Sequence, residues 1–369
     1  MRDVAADDRV VLTLDAGGTN FVFGAMAGHQ AVTAALTLPA RANDLEASLA
    51  TMVEGFERVR ADSPRPPVAI SFAFPGPCDY ARGIVVAPPN LTAYRNVALG
   101  PMLEDHFGLP VFINNDGDLF AVGEAAAGLL PDVNARLERA GSPKRYQNLV
   151  GFTMGTGFGC GIVHKGALYT GDNSLGGEVW LLRHKLVPAT NVEEGVSIRA
   201  VRSAYAAHAG VPITEVPEPK VIADIARGEA PGNADAARRV FAQLGEVAGD
   251  AISFVTTLLD ALVVVGGGIA AAHRLFLPAL VAEMNGRYST PAGEPFRRLV
   301  QVAFDLEDPE QMETFLRGRT IDLTVPGSGR TVSFDALQRT GVGVSRLGTS
   351  HAMAIGACAH ALAHLPQQP

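Results

Sequence analysis

The residues best suited to chemistry lie in short glycine-rich and acidic clusters at the ends of apolar, strand-like runs. The first is Asp15-Ala16-Gly17-Gly18-Thr19-Asn20. An apolar run from Val11 to Leu14 leads in and another from Phe21 to Gly24 leads out, which reads as strand, tight turn and strand. Gly17 and Gly18 remove the Cβ atoms that would keep a phosphate from backbone N–H groups, and the Thr19 and Asn20 side chains add donors to the same turn. Asp15, at the end of the first strand, suits a Mg²⁺ held mainly through water and nucleotide oxygens. A Gly-Gly pair is also an ordinary hairpin connector.

A second turn repeats the design in the other half of the chain, at Thr153-Met154-Gly155-Thr156-Gly157 between two further strand-like runs. One such turn in each half suggests a nucleotide held across a cleft between two similar domains. A third glycine turn, Gly266-Gly267-Gly268, follows the strand-like Leu262 to Val265. It would let backbone approach an adenine or ribose closely, or serve close helix–strand packing. Neither the G-x-x-x-x-G-K-[ST] loop nor the strand-to-helix register of a dinucleotide fingerprint is present.

The acidic cluster is Asn114-Asn115-Asp116-Gly117-Asp118, at the end of the strand Pro110 to Ile113 and before a helix over Leu119 to Gly128. A strand passing through polar residues into a helix puts them at the carboxyl edge of a sheet, where α/β proteins bind ligands. Asp116 fits a buried general base there, and Asp116 or Asp118 fits a helix cap equally. Glu178 and Glu193 suit capture of neighbouring hydroxyls, and also fit a solvated loop and a helix start.

Those clusters need elements to hold them. The spacing predicts a helix over Asn43 to Arg60, a buried strand over Val68 to Phe74 stopped by Pro75-Gly76-Pro77, and a short helix near Pro101 to Phe107. The order hairpin, helix, strand, helix, strand is an α/β layout with a sheet of mixed direction. The length makes two domains the expectation, drawn at 1–130 and 131–369, with the C-terminal helix free to pack back onto the first. Pro131 to Gln147 reads as a charged, turn-rich insertion, and 285–340 as an insertion with extra strands at Arg298 to Phe304 and Thr320 to Val325.

A formal charge of -8 without a Lys/Arg block argues against a nucleic-acid surface. The three cysteines, Cys78, Cys160 and Cys358, are too scattered for a disulfide framework and read as buried apolar residues. The acidic N-terminus does not read as a signal peptide, and the apolar stretch Ala251 to Leu277 is interrupted by Asp260 and three glycines, unlike a membrane span. The expected location is the cytoplasm, with no membrane partner.

Taken in order from Leu12 to about Ile355, D-A-G-G-T-N, P-G-P-x-D at Pro75 to Asp79, A-P-P-N-L at Ala87 to Leu91, N-N-D-G-D, M-G-T-G-F-G-C-G, G-G-E and V-V-G-G-G-I resemble the ROK family of bacterial sugar kinases and repressors. The resemblance implies a two-domain actin-like (ribonuclease H-like) ATPase fold, α/β with mixed sheets flanked by helices. It implies phosphorylation of a hexose, glucose by default, at the 6-hydroxyl with ATP and Mg²⁺, in a homodimer. Asp116 would be the general base. Asn115, Glu178, Glu193 (with Ser197 four residues on), Gly76 and Asn90 would contact sugar. Asp15, Gly17, Gly18, Thr19 and Asn20, together with Thr153, Gly155, Thr156 and Gly157, would hold phosphates, and Gly266 and Gly267 the adenosine side.

The chain departs from the family's pattern where sugar specificity is set. Leu181 stands where many members have a histidine three residues after the first sugar glutamate, and the family's three zinc cysteines are missing. Loss of the complete ligand set implies no structural zinc. Trp180 and His184 are the candidates to replace the histidine's sugar contact. Two other readings remain open: a sugar sensor without turnover, which an intact Asp116 disfavours, and a kinase with polyphosphate as donor.

Overall fold

The computed structural model describes residues 4–88 and 91–366. The chain forms two compact units, one of Met1–Pro131, Cys160–Gly177 and Arg346–Pro369, the other of Asp132–Gly159 and Glu178–Ser345.

In the first unit, the strands Val10–Ala16 and Asn20–Ala27 form an antiparallel hairpin in which Asp15 faces Val22. Pro67–Ala73 runs parallel beside Val10–Ala16 and places Ala73 opposite Asp15. Val111–Asn114 runs parallel to that strand in turn, with Asn114 opposite Ala73. Asp15, Ala73 and Asn114 therefore stand in one row at the carboxyl edge, and whatever follows each strand emerges on that edge.

One face of this sheet packs on the helix Leu45–Asp62, which Asp44 caps by accepting the Ala47 N–H at 3.1 Å. Met52, Phe56 and Val59 recur at helical spacing and are buried. Phe56 meets Phe23 edge-on with ring centroids 5.2 Å apart and lies 5.9 Å from Phe72. Each such ring contributes about 1.5–3 kcal/mol through burial. The other face is covered by the helices Asp116–Ala126 and Thr349–His364, where Leu119 and Ala357 close over Ala73. These two helices approach so closely that a Cβ on Gly123 would stand 1.9 Å from the Ala352 carbonyl oxygen.

The second unit is built on four strands in the order Leu149–Met154, Leu262–Gly266, Arg339–Val344 and Val302–Asp305, each parallel to its neighbour. Gly266 stands opposite Thr153. The long helix Ala234–Leu259 starts at the cap Asn233, which accepts the Ala236 N–H at 3.0 Å, and it stops where Asp260 turns to φ 42°.

Of the stretches read as insertions, the first differs from expectation, and the second does so in part, its strand at Thr320–Thr324 forming as expected. The first carries the helix Leu129–Arg139, because Leu129, Leu130, Val133 and Leu137 form one buried stripe. Pro131, Asp132 and Asn134 look like turn residues, yet a proline in a helix's first turn gives up an N–H that would have no partner there anyway. In 285–340, only the end of the Arg298 to Phe304 run is strand, and Val302–Asp305 belongs to the main sheet. The additional strands form two hairpins, Arg287–Ser289 with Pro295–Arg297 and Thr320–Thr324 with Thr331–Asp335, separated by the helix Pro309–Arg317.

Candidate active site

At the carboxyl edge of the first unit, the Gly17 N–H donates to the Asn20 carbonyl at 3.1 Å and closes the turn. A Cβ on Gly17 would press to 2.9 Å from that carbonyl oxygen, whereas one on Gly18 would meet nothing within 4 Å. The first glycine is thus needed to make the turn, and the second faces open space. Thr19 and Asn20 are exposed beside it. Asp15 reaches solvent, but surrounding protein strips part of its hydration and pushes its carboxyl up from the ordinary value.

On the same edge, Asn115 leaves the strand with extended backbone and caps the helix Asp116–Ala126, its Oδ1 accepting the Gly117 N–H at 2.8 Å. The cap is therefore Asn115, not Asp116 or Asp118, and the helix begins three residues before Leu119. Asp116 Oδ1 shares that N–H at 2.8 Å. Contrary to the expectation of a buried base, Asp116 is exposed, because it occupies the first helical position at the rim of the sheet. The helix N-terminus there favours the ionised carboxylate.

Tyr80, which sequence reasoning passed over, underlies this corner. Its buried hydroxyl donates to the Phe74 carbonyl at 3.2 Å, and a Cβ on Gly76 would fall 2.8 Å from it. The Asn115 side chain lies close to the same hydroxyl, and burial pushes the phenol far up. Its position after P-G-P-x-D was the available signal. Asn90 lies outside the described residues.

In the second unit, the parallel register brings two glycine turns to one edge. Gly155 to Gly157 follow Thr153, and Gly267 and Gly268 follow Gly266 beside it. Thr156 is exposed, and a Cβ on Gly155 would meet nothing within 4 Å. Gly266 is buried, and Gly267 at φ 86° is pressed against Met154, where a Cβ would lie 2.2 Å from the carbonyl oxygen. Gly267 thus serves strand packing, and Gly268 faces open space.

The segment after Glu193 clasps the first of these turns. Glu193 Oε2 accepts the Phe158 N–H at 2.9 Å, and its Oε1 accepts from Arg199 at 2.6 Å. Arg199 also bonds Glu194 and reaches the Thr156 carbonyl at 3.3 Å, while the Ile198 N–H donates to the Gly155 carbonyl at 2.8 Å. Ser197 caps the helix Ile198–Ala209. These contacts hold the Gly155–Phe158 turn rigid, but both Glu193 oxygens are engaged.

Glu178 opens the single turn Val179–Leu181, and the Trp180 indole N–H donates to its Oε2. Leu181 is exposed. His184 is buried, and its Nδ1 accepts the Leu186 and Val187 N–H groups at 3.0 Å each. Burial pushes this imidazole below its ordinary value, and Nε2 lies against the backbone at Gly195. His184 therefore fastens the chain before Glu193, and it is Trp180 that touches a candidate sugar residue. Among the described residues, no group of three His, Cys, Asp or Glu side chains is placed to share a metal ion, and no helix is long and apolar enough to cross a membrane.

The ROK family model matches residues 11–303. The crystal structure of a glucokinase from Parabacteroides distasonis is 48% identical and superposes with a TM-score of 0.90, over 99% of this chain and 100% of that one. Glucokinase of Thermotoga maritima is 29% identical over 201 residues, 53% of this chain and 58% of that protein, so the match spans little over half of that relative. A ROK family glucokinase from Streptomyces griseus, solved with glucose and AMPPNP, has the same fold at a TM-score of 0.60 and 18% identity, over 95% of this chain and 98% of that one. With its α/β sheets, its paired glycine turns and a family match across most of its length, the chain belongs to the ROK family and has that family's actin-like fold.

Proposed function

We propose that the protein is an ATP-dependent hexose kinase acting on the 6-hydroxyl of glucose, with Asp116 as the base. The observation that carries this reading is the placement of Asp116, at a helix N-terminus on the same sheet edge as the Gly17–Asn20 turn. The names of the Parabacteroides and Thermotoga relatives support glucose as the acceptor, and the AMPPNP in the Streptomyces complex supports ATP as donor.

A sugar alcohol is a poor nucleophile at neutral pH. In this reading the hydroxyl donates to Asp116, which takes its proton as the oxygen attacks the γ-phosphorus. The bond from that phosphorus to the bridging oxygen breaks, and ADP leaves with the electron pair. Such general-base help is worth ~10²–10⁴-fold. The backbone N–H groups around Gly18 and Gly155 face open space and suit phosphate oxygens, and Thr19, Asn20, Thr153 and Thr156 add polar donors. Asp15 fits a hydrated Mg²⁺: its partly desolvated carboxyl has its proton affinity raised, which a nearby cation reverses. When bound, the metal neutralises charge on the transferring group. Asn115, Gly76 and Glu178 contact the sugar.

The test is coupled ADP release with Mg²⁺-ATP against glucose, mannose, fructose, allose, N-acetylglucosamine and N-acetylmannosamine, without added zinc. Turnover on glucose above the others is expected. Asp116→Asn should abolish turnover while calorimetric glucose binding persists. Unchanged turnover in that variant would remove Asp116 as the base, and silence on all six sugars with thermal stabilisation by one of them would identify a sensor.

A further inference from the structure

We infer that Trp180 is the positioning residue that makes Glu178 the principal hydroxyl acceptor of the sugar site. This rests on the hexose-kinase reading above and adds a residue to it. The sequence offers Glu178 and Glu193 as a pair, but their surroundings differ. Glu193 has one oxygen on the Arg199 guanidinium and the other on the Phe158 N–H, so both of its oxygens are already engaged at the glycine turn. Glu178 has Oε2 on the Trp180 indole, and among the described residues its Oε1 has no hydrogen-bond or ion-pair partner.

The chemistry of the partner matters. An indole N–H is a donor only and carries no charge. It fixes the plane of the carboxylate, whose terminal torsion is otherwise broad, and leaves the negative charge intact. An arginine would fix the plane equally well and neutralise the group, as Arg199 does at Glu193. The free oxygen of Glu178 can therefore accept a sugar hydroxyl in a charge-assisted hydrogen bond. The Val179–Leu181 turn sets the frame: buried Val179 anchors it, and the Leu181 N–H closes it on the Glu178 carbonyl at 3.2 Å. Trp180 thus reaches back over a short, fixed distance to the side chain two residues before it.

Trp180 is also the chain's single tryptophan, so its emission reports on the surroundings of this indole and its carboxylate. Glucose titrated into the native protein should change that emission saturably, with a midpoint matching calorimetric affinity, and Glu178→Gln should move midpoint and affinity together. Trp180→Phe keeps the ring and removes the N–H. It should raise the glucose KM by about tenfold, the loss that goes with disturbing one hydrogen bond to a charged group, with kcat, the ATP KM and the melting temperature little changed. A structural role alone would lower the melting temperature and shift the ATP KM as well. If Trp180→Phe leaves the glucose KM unchanged while Glu178→Gln raises it, the inference about Trp180 fails and the sugar site stands. If neither changes it, the assignment of Glu178 fails. Should the Phe variant not fold, unchanged emission at saturating glucose in the native protein overturns the proposal by itself.

Discussion

Gly18→Ala and Gly155→Ala, one in each unit, separate ligand binding from folding. At both positions an added methyl meets no protein atom within 4 Å, and neither backbone lies in the left-handed region. The folded state should accept either methyl. Because alanine restricts the unfolded chain more than glycine does, stability should hold or rise by about 0.4–1 kcal/mol. In the proposed reading, the same methyl stands where a phosphate oxygen approaches backbone N–H groups. Losing one charge-assisted hydrogen bond costs about 1.5–3 kcal/mol, or roughly 10- to 150-fold in nucleotide affinity. Two controls go the other way. Gly17→Ala would crowd the Asn20 carbonyl inside the turn, and Gly267→Ala would drive a Cβ to 2.2 Å from the Met154 carbonyl at φ 86°, so both should lower the melting temperature. The assay is thermal denaturation with titration of AMPPNP and Mg²⁺ by calorimetry. If both open-turn variants bind nucleotide as the parent does, the turns do not hold phosphate.

Further outcomes follow from the neighbouring contacts. Arg199→Ala should loosen the Gly155–Phe158 turn and raise both substrate KM values, while costing at most about 1 kcal/mol of stability because the guanidinium is exposed; a change confined to the melting temperature would refute the clasp. Tyr80→Phe should weaken glucose binding through Asn115 and lower stability by about 1 kcal/mol; calorimetry with glucose checks the first and denaturant unfolding the second. His184 is pushed down by burial and accepts two N–H groups as a neutral ring, so below about pH 6.5 the unfolded chain binds more protons than the folded one. Its contribution is complete above that pH and is lost as pH falls. His184→Asn should therefore flatten the melting-temperature slope between pH 6.5 and pH 5; an unchanged slope would refute the assignment, since His360, pushed down to about 3 mainly by burial, acts in parent and variant alike.

The first strand–turn–strand was legible because a glycine pair interrupts two apolar runs, whereas the place of Thr153 beside Gly266 came only with the parallel register of the second sheet. The helix after Asn115 was legible, but its cap was not. Asn115, Asp116 and Asp118 all suit that role, and the choice is made by the extended exit of the strand at Asn115. Leu129–Arg139 was hidden because its turn-forming residues sit in the first turns and its apolar stripe is short. The partners of Glu193 could not be read, since Phe158 comes from a turn far back in the chain and Arg199 from the next helix. Trp180 is two residues from Glu178, yet only a particular side-chain rotamer turns that proximity into a bond.

The helix Asp116–Ala126 is locked against Thr349–His364, with Gly356 so close that a Cβ there would lie 1.9 Å from the Leu119 carbonyl oxygen. During translation the first helix leaves the ribosome long before its partner exists, a wait of roughly ten to fifty seconds at typical elongation rates. Until then the apolar face around Ala73 and Leu119 is without its cover. A segment synthesised much later is thus the one that completes the support under Asp116. A nascent chain stalled before Thr349 would carry every glycine turn and both glutamates, and still lack the helix that supports Asp116.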